Sequence, residues 1–370
     1  MFKSKNFTIL VIGLLFGSVS LIGFDVTSAQ TNQNPQTVNT TATASPAATP
    51  PIEEDSEVIK IDTELVNVLF TAQDKNRRLL TDLKQSDIKL IEDGQPQNIV
   101  SFTRQVDLPL SLAILIDTSV SQERTLPEEK AAAKSFIESV IRPAKDEVSI
   151  ISFTGETTLE QGMTNNIARL GRAIDRVQFV PPANYIGGGV ITGGTTAISG
   201  DTSAVSTAIW DAIWVTSDEV LKPSPDKTRR AIILLTDGDD TYSRKKINEA
   251  VDKALKAEAV IYCIGIGDPF MTTKYRNGIN EISLQQLSNQ TGGRAFFPRD
   301  EAELHSAFVQ IQIEMRSQYL IAYEPLNQKN DGSYRKIDIQ LTNPELVKQK
   351  ILLTHRQGYF GKTEVAKPKK

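Results

Sequence analysis

Residues Ser111–Asp117 read SLAILID, an uncharged run that ends in a carboxylate. A strand with one wet face would alternate polar and apolar side chains; this run predicts a strand buried on both faces, as in a parallel sheet covered by helices. Leu126–Ile141 follows as a helix, opened by Pro127 and by two glutamates that suit its positive end. Val148–Phe153, Ala231–Asp237, Ala259–Gly267 and Arg294–Phe297 read as further strands. Asn166–Val177, Ala204–Leu221, Arg244–Ala257, Ser283–Gln290 and Glu301–Met315 read as helices. Across residues 108–316 this alternation predicts an α/β fold, a doubly wound and mostly parallel sheet whose ligands sit at the carboxyl ends of the strands.

The flanks differ. Residues 56–107 and 317–361 carry short β-type runs, among them Leu65–Phe70, Ile88–Ile91, Ile99–Phe102, Tyr319–Tyr323, Arg335–Leu341 and Lys350–Thr354. Glu92-Asp93-Gly94 separates two of them, and Asn330-Asp331-Gly332 predicts a hairpin-type turn between Tyr319–Tyr323 and Arg335–Leu341. Neither flank has enough strands for its own core, so the two are expected to pair into a small β-sandwich with the middle of the chain inserted. Residues 1–29 have lysines at 3 and 5, an apolar stretch Phe7–Phe24 and small residues before Gln30, the pattern of an export signal. The apolar stretch is near the length of a membrane span, and an uncleaved anchor is the competing reading. Either places the rest outside the cytoplasm. Residues 30–55, rich in Thr, Ala, Pro and Asn, are expected to be a flexible spacer, and the basic tail 362–370 a frayed end.

Composition removes several function classes. Lys and Arg total 41 against 45 Asp and Glu, a formal charge of -4, which offers no basic face for nucleic acid. The one cysteine, Cys263, excludes an internal disulfide and a cysteine metal cage, and its apolar surroundings predict an inert buried thiol. Two histidines, His305 and His355, cannot make a histidine-rich zinc site and are expected at solvated positions. Trp210 and Trp214, four apart on one helix, predict a packed core face.

Two polar clusters end the two most apolar strands: Asp117-Thr118-Ser119-Val120-Ser121 and Thr236-Asp237-Gly238-Asp239-Asp240. Neighbouring strands in the sheet would bring them together. Hydroxyls with carboxylates are hard oxygen donors suited to Mg²⁺, Mn²⁺ or Ca²⁺. Equally, Asp117 and Ser119 could cap a helix while Asp237 and Gly238 make a turn.

Asp117-x-Ser119-x-Ser121 after one apolar strand, with Leu235-Thr236-Asp237-Gly238 after a later one, resembles the metal-ion-dependent adhesion site of von Willebrand factor A domains. LAILIDTSVS, EEKAAAKSFIESVI, VSIISF, STAIWDAIWVTSDEVL, AIILLTDGDDT and VIYCIGIG occur in the order of that fold, and the flanking β pieces look like those of a bacterial secreted subgroup. The resemblance implies that Ser119 and Ser121 bind a divalent ion, Mg²⁺ foremost, through their hydroxyls. Asp117 and Asp237 would hold it through water, and a threonine from a third loop would complete the set. An ion with few direct carboxylates stays electron-poor and can take an Asp or Glu carboxylate of a protein partner. The threonine departs from the family pattern: Thr207 in Ser206–Ala212 fits best, but Thr195 or Thr196 of the glycine-rich insertion 180–203 is an alternative. The expected function is exported, metal-dependent protein binding without catalysis. Its rivals are a metal-independent envelope scaffold and, further off, a hydrolase. No P-loop, Gly-x-Ser-x-Gly elbow or His-Glu-x-x-His run is present.

Overall fold

In a computed structural model of the chain, residues 65–105, 108–179, 181, 206–225, 228–268, 275 and 278–363 are described. The signal-like segment 1–29, the spacer 30–55, the insertion 180–203 apart from residue 181, with Thr195 and Thr196, and the tail beyond residue 363 lie outside them.

The first flank supplies β1 (Val66–Gln73), β2 (Ile88–Glu92), β3 (Gln95–Pro96) and β4 (Ile99–Gln105). The middle supplies β5 (Leu110–Asp117), α1 (Leu126–Val140), β6 (Glu147–Phe153), β7 (Thr157–Thr164) and α2 (Ile167–Arg176). It continues with α3 (Ile209–Val215), β8 (Arg229–Thr236), α4 (Ile247–Lys256), β9 (Ala259–Gly265), α5 (Glu281–Thr291), β10 (Ala295–Phe296) and α6 (Glu301–Arg316). The second flank gives β11 (Gln318–Tyr323), β12 (Tyr334–Leu341), α7 (Pro344–Lys348), β13 (Leu352–His355) and β14 (Gly358–Phe360).

The middle elements form a six-stranded sheet in the order β10-β9-β8-β5-β6-β7, parallel except for the edge strand β7. β5 and β8 are central neighbours, and all eight residues of each are buried. Leu112, Ile114 and Ile116 of β5 pack beneath α1, α2 and α6, while Ala113 and Leu115 face α3, α4 and α5. That two-sided burial is why the run shows no polar alternation, and it is the doubly wound architecture expected. The flanks form two four-stranded sheets, β13-β1-β11-β4 and β14-β12-β2-β3, each built from strands of both ends of the chain. Their shared core includes Val68, Phe70, Leu90, Ile321, Tyr323 and Ile339. The sandwich with an inserted domain is therefore present.

Several local expectations are corrected. β11 and β12 do not form a hairpin: β11 pairs with β1 and β4, β12 with β2 and β14, so the connection crosses between sheets. Asn330–Gly332 still turns locally, with Gly332 at φ 67° and the Ser333 N–H donating to Asp331 Oδ1 at 2.9 Å. β7, missed because it is polar and contains a glycine, survives as an edge strand with Leu159 turned outward. Helix α3 starts at Ile209 and passes at Thr216–Leu221 into a wider π-type turn. There the Ser217 hydroxyl donates back to Ile213 O at 2.8 Å. Trp210 joins the core, but Trp214 lies half-buried under the ammonium groups of Lys253 and Lys245. His305 is exposed. His355 is half-buried: it accepts from Ile339 N at 3.3 Å and lies 2.7 Å from Arg356 O, and burial lowers its pKa. Cys263 is fully buried, which pushes its thiol pKa up.

Candidate metal centre

Parallel pairing puts the carboxyl ends of β5 and β8 side by side, Ile116 opposite Leu235. Asp117 is completely buried at this end, and Asp237, the first residue after β8, is 3% exposed. Asp117 Oδ1 accepts from the Ser119 N–H at 2.9 Å, which curls the chain so that the Ser119 and Ser121 hydroxyls meet at 3.1 Å. Asp117 Oδ2 accepts from the Thr236 hydroxyl at 2.5 Å, and that hydroxyl accepts in turn from Gly238 N at 3.1 Å. Thr236 thereby ties the two loops together. Gly238 has φ 81°, and a Cβ there would come within 2.9 Å of Leu284, so the sharp departure after Asp237 needs glycine. Ser119 precedes a short 3₁₀ turn at Val120–Gln122, but its side chain makes no capping bond to it, so the capping explanation fails for Ser119.

The third loop is clamped between the end of β6 and the loop after β8. Ala208 N donates to Thr154 O at 2.7 Å, beyond the end of β6. Thr207 N donates to the Thr241 hydroxyl at 2.9 Å, and Thr207 O accepts from Thr241 N and Tyr242 N. Asp240 Oδ1 accepts from Ile209 N at 2.7 Å, and Asp211 accepts from Lys245 N at 2.8 Å, a reciprocal exchange that fixes the start of α3 against the loop after β8. Asp117, Ser119, Ser121, Thr207 and Asp237 thus sit on loops that the hydrogen bonding draws to one end of the sheet. Ser121 is partly open to solvent, whereas Ser119 and Thr207 are buried.

Burial raises the pKa of Asp117, and the charge of Asp237 raises it further; Ser119 and Thr236 act against this. Burial also raises Asp237, opposed by Ser121, by the Asp239 N–H and by Gln122. Glu129, in the first turn of α1, is fully buried, and that burial pushes its pKa up to about 8, against the effect of Thr125 and with smaller contributions from Asp117 and Asp237. Among the described residues no lysine, arginine or histidine pairs with any of these three carboxylates. A desolvated carboxylate without a counter-charge is costly, by several kcal/mol for an ionised group. A cation supplied from solution removes that cost.

The donor set fits a hard divalent ion. Among the described residues no three of His, Cys, Asp and Glu converge at metal-ligand spacing, so an ion held here would draw its other ligands from hydroxyls and water. Asp117, Asp237, Ser119, Ser121 and Thr207 are all oxygen donors of the kind that Mg²⁺, Mn²⁺ and Ca²⁺ accept. Gln122 and Glu129 were not picked out from the sequence, and Thr236 and Asp240 were named there only as members of the TDGDD cluster, with no role of their own. Glu129 interrupts an otherwise apolar helix face made by Leu126, Ala132, Ala133 and Phe136, and that interruption was its readable signal.

A family model described as the von Willebrand factor type A domain matches residues 111–310. Similar solved structures include an aerotolerance-related membrane protein from Bacteroides fragilis, 17% identical over 56% of this chain and 100% of that one, with a TM-score of 0.41. BatB, a conserved hypothetical protein from Bacteroides thetaiotaomicron, is 17% identical over 56% of this chain and 100% of its own, with a TM-score of 0.40. Proximal thread matrix protein 1 from the mussel byssus, solved with a zinc-occupied MIDAS motif, is 17% identical over 60% of this chain and 49% of its own, with a TM-score of 0.42. No curated protein matches the chain.

Proposed function

The chain belongs to the von Willebrand factor type A domain family, and from that premise we propose that it is an exported, non-catalytic protein that binds acidic partners through a divalent cation. Domains of this family are typically interaction modules and commonly bind a divalent cation. In this reading Ser119, Ser121 and Thr207 offer hydroxyls to the ion, Mg²⁺ in the first instance, and Asp117 and Asp237 supply its counter-charge. The bound ion presents an open position to an Asp or Glu side chain of a protein partner. The carboxylate–cation contact gives strength, and the surrounding loops choose the partner. Export rests on the composition of residues 1–29.

The observation that supports the reading is the buried pair Asp117 and Asp237, without a basic partner among the described residues and adjoining two hydroxyls 3.1 Å apart. Calorimetric titration of Mg²⁺ and Mn²⁺ into the protein tests it, wild type beside a Ser119→Ala/Ser121→Ala variant. Saturable one-to-one binding is expected in the wild type and its loss in the variant. Bound ion should stabilise the fold by mass action, about 2.7 kcal/mol at one hundred times Kd. A wild type that takes up no ion would sink the reading and favour a metal-independent assembly role on the same fold.

A further inference from the structure

Glu129 is the least explained carboxylate in the described structure. It is 0% exposed, and neither of its oxygens has a hydrogen-bond partner. The Thr125 hydroxyl, one helical turn earlier, donates instead to Gln122 Oε1 at 2.9 Å. A glutamate that only filled space on this helix face would be out-competed by an apolar residue, because an unsatisfied buried acid costs free energy that leucine of similar size does not. Its surroundings point in one direction. Glu129 stands on the inward face of α1, eight residues after Ser121, at the end of the helix that leaves the Asp117–Ser121 loop. Its strongest charged neighbours are Asp117 and Asp237, themselves buried and without basic partners among the described residues. Gln122, next to Ser121, donates to Ile266 O at 3.2 Å and accepts from Thr125, so one hydrogen-bonded path runs from the serine loop to the turn of helix that carries Glu129.

Resting on the cation reading above, we propose that Glu129 is a third, outer carboxylate of the metal centre, a positioning residue that adds negative charge and accepts hydrogen bonds from the ion's water ligands without binding the ion itself. An outer position agrees with the lack of any three-carboxylate cluster at ligand spacing among the described residues. It also gives both orphaned oxygens a partner that arrives only with the hydrated ion. Groups that orient the first ligands of a metal typically contribute ten- to a hundredfold in affinity.

The test compares wild type, Glu129→Gln and Glu129→Leu in two measurements on the full chain: thermal unfolding in chelator, and calorimetric Kd for Mn²⁺ and Mg²⁺. A residue of the metal centre should give opposite signs: without metal Glu129→Leu unfolds at a higher temperature than wild type and Glu129→Gln no lower, yet both bind Mn²⁺ roughly tenfold or more weakly. A residue with a merely structural role lowers unfolding temperature and leaves Kd within twofold, which overturns the proposal. Metal affinity unchanged in Glu129→Gln while Ser119→Ala/Ser121→Ala abolishes it would remove Glu129 alone and leave the cation site standing. No binding by the wild type would remove both.

Discussion

Two sets of buried acids at opposite ends of the central sheet, Asp146 with Glu314 and Asp117 with Asp237, are treated in opposite ways. At the amino ends of the strands Asp146, whose side chain is fully buried, accepts from Arg316 at 2.5 Å, from Arg142 and from Leu110 N at 3.0 Å. Glu314 there pairs with Arg294 at 3.0 Å and accepts from Gln73 Nε2 of β1 at 2.9 Å. At the carboxyl ends Asp268, buried just past β9, pairs with Arg124 at 3.5 Å, but Asp117 and Asp237 hold hydroxyls and backbone N–H groups and no cationic side chain among the described residues. The desolvation problem is the same at both ends. One end solves it within the chain, where the inserted domain is joined to the sandwich through the β4–β5 and α6–β11 connections. At the other, the Asp117–Asp237 pair keeps its negative charge without a basic partner among the described residues, and that pair stands where the loops leave the sheet. What sets Asp117 and Asp237 apart from Asp146, Glu314 and Asp268 is the missing arginine, and that is the difference on which the cation proposal rests.

The sharpest way to break this comparison is to remove one acid from each end. Asp146→Ala leaves two arginines, Arg142 and Arg316, without their shared carboxylate and should cost about 3 kcal/mol in urea unfolding. Mn²⁺ affinity should stay within twofold. Asp117→Asn keeps the shape and the acceptor for Ser119 N but removes a buried charge that repels Asp237. In chelator it should be as stable as wild type or more stable by about 1 kcal/mol, and it should bind no Mn²⁺. Destabilisation of similar size in both variants would mean that the two ends do not differ as described.

Acid sharpens the same contrast. Burial alone would raise the Asp146 carboxyl, but hydrogen bonds and charge from Arg316 and Arg142 hold it down at about 2, below its ordinary 3.8. A carboxyl depressed on folding contributes stability above its unfolded pKa and loses it as pH falls through the folded one. The clamp is therefore fully present above about pH 5, fades as pH falls through about 2 and is gone near pH 1. Because both arginines still reach solvent, its share is on the order of 1 to 2 kcal/mol. Between pH 5 and 2.5 the wild type should lose more stability than Asp146→Asn, by about two thirds of that share. Parallel curves would show that the arginines do not hold the carboxyl down.

The division between what was legible and what was not follows the same two ends. β5 and β8 could be read because burial on both faces leaves an unbroken apolar signature, and Asp117 and Asp237 because they terminate those runs. β7 could not, since an edge strand with one wet side needs no apolar run, and TTLEQGMT has none. The Asn330–Gly332 turn was visible, but whether the chain after it pairs back or crosses to the other sheet depends on partners far away in sequence, β2 for β12 and β1 for β11. Asp146 was unreadable for the same reason, as Arg316 lies 170 residues away. Thr207 stood out by position in a motif, but the clamp that holds it belongs to Asp240 and Thr241, whose roles arise only when the loops meet.

That clamp carries the smallest effect and tests how the third loop is built. Asp240 Oδ1 serves Ile209 N at 2.7 Å and the Ser243 hydroxyl at 2.6 Å, acting as an N-terminal cap for α3 from a neighbouring loop. Asp240→Ala should cost about 0.5 to 1 kcal/mol, the usual worth of a cap, and Asp240→Asn, which keeps the acceptor, about half of that. If Thr207 is the third hydroxyl of the cation site, loosening its loop should also weaken Mn²⁺ binding severalfold in Asp240→Ala, with Thr207→Ala weakening it more. Should Thr207→Ala and Asp240→Ala both leave Mn²⁺ affinity unchanged while Ser119→Ala/Ser121→Ala abolishes it, the third hydroxyl comes from elsewhere, and Thr195 and Thr196 become the positions to substitute next.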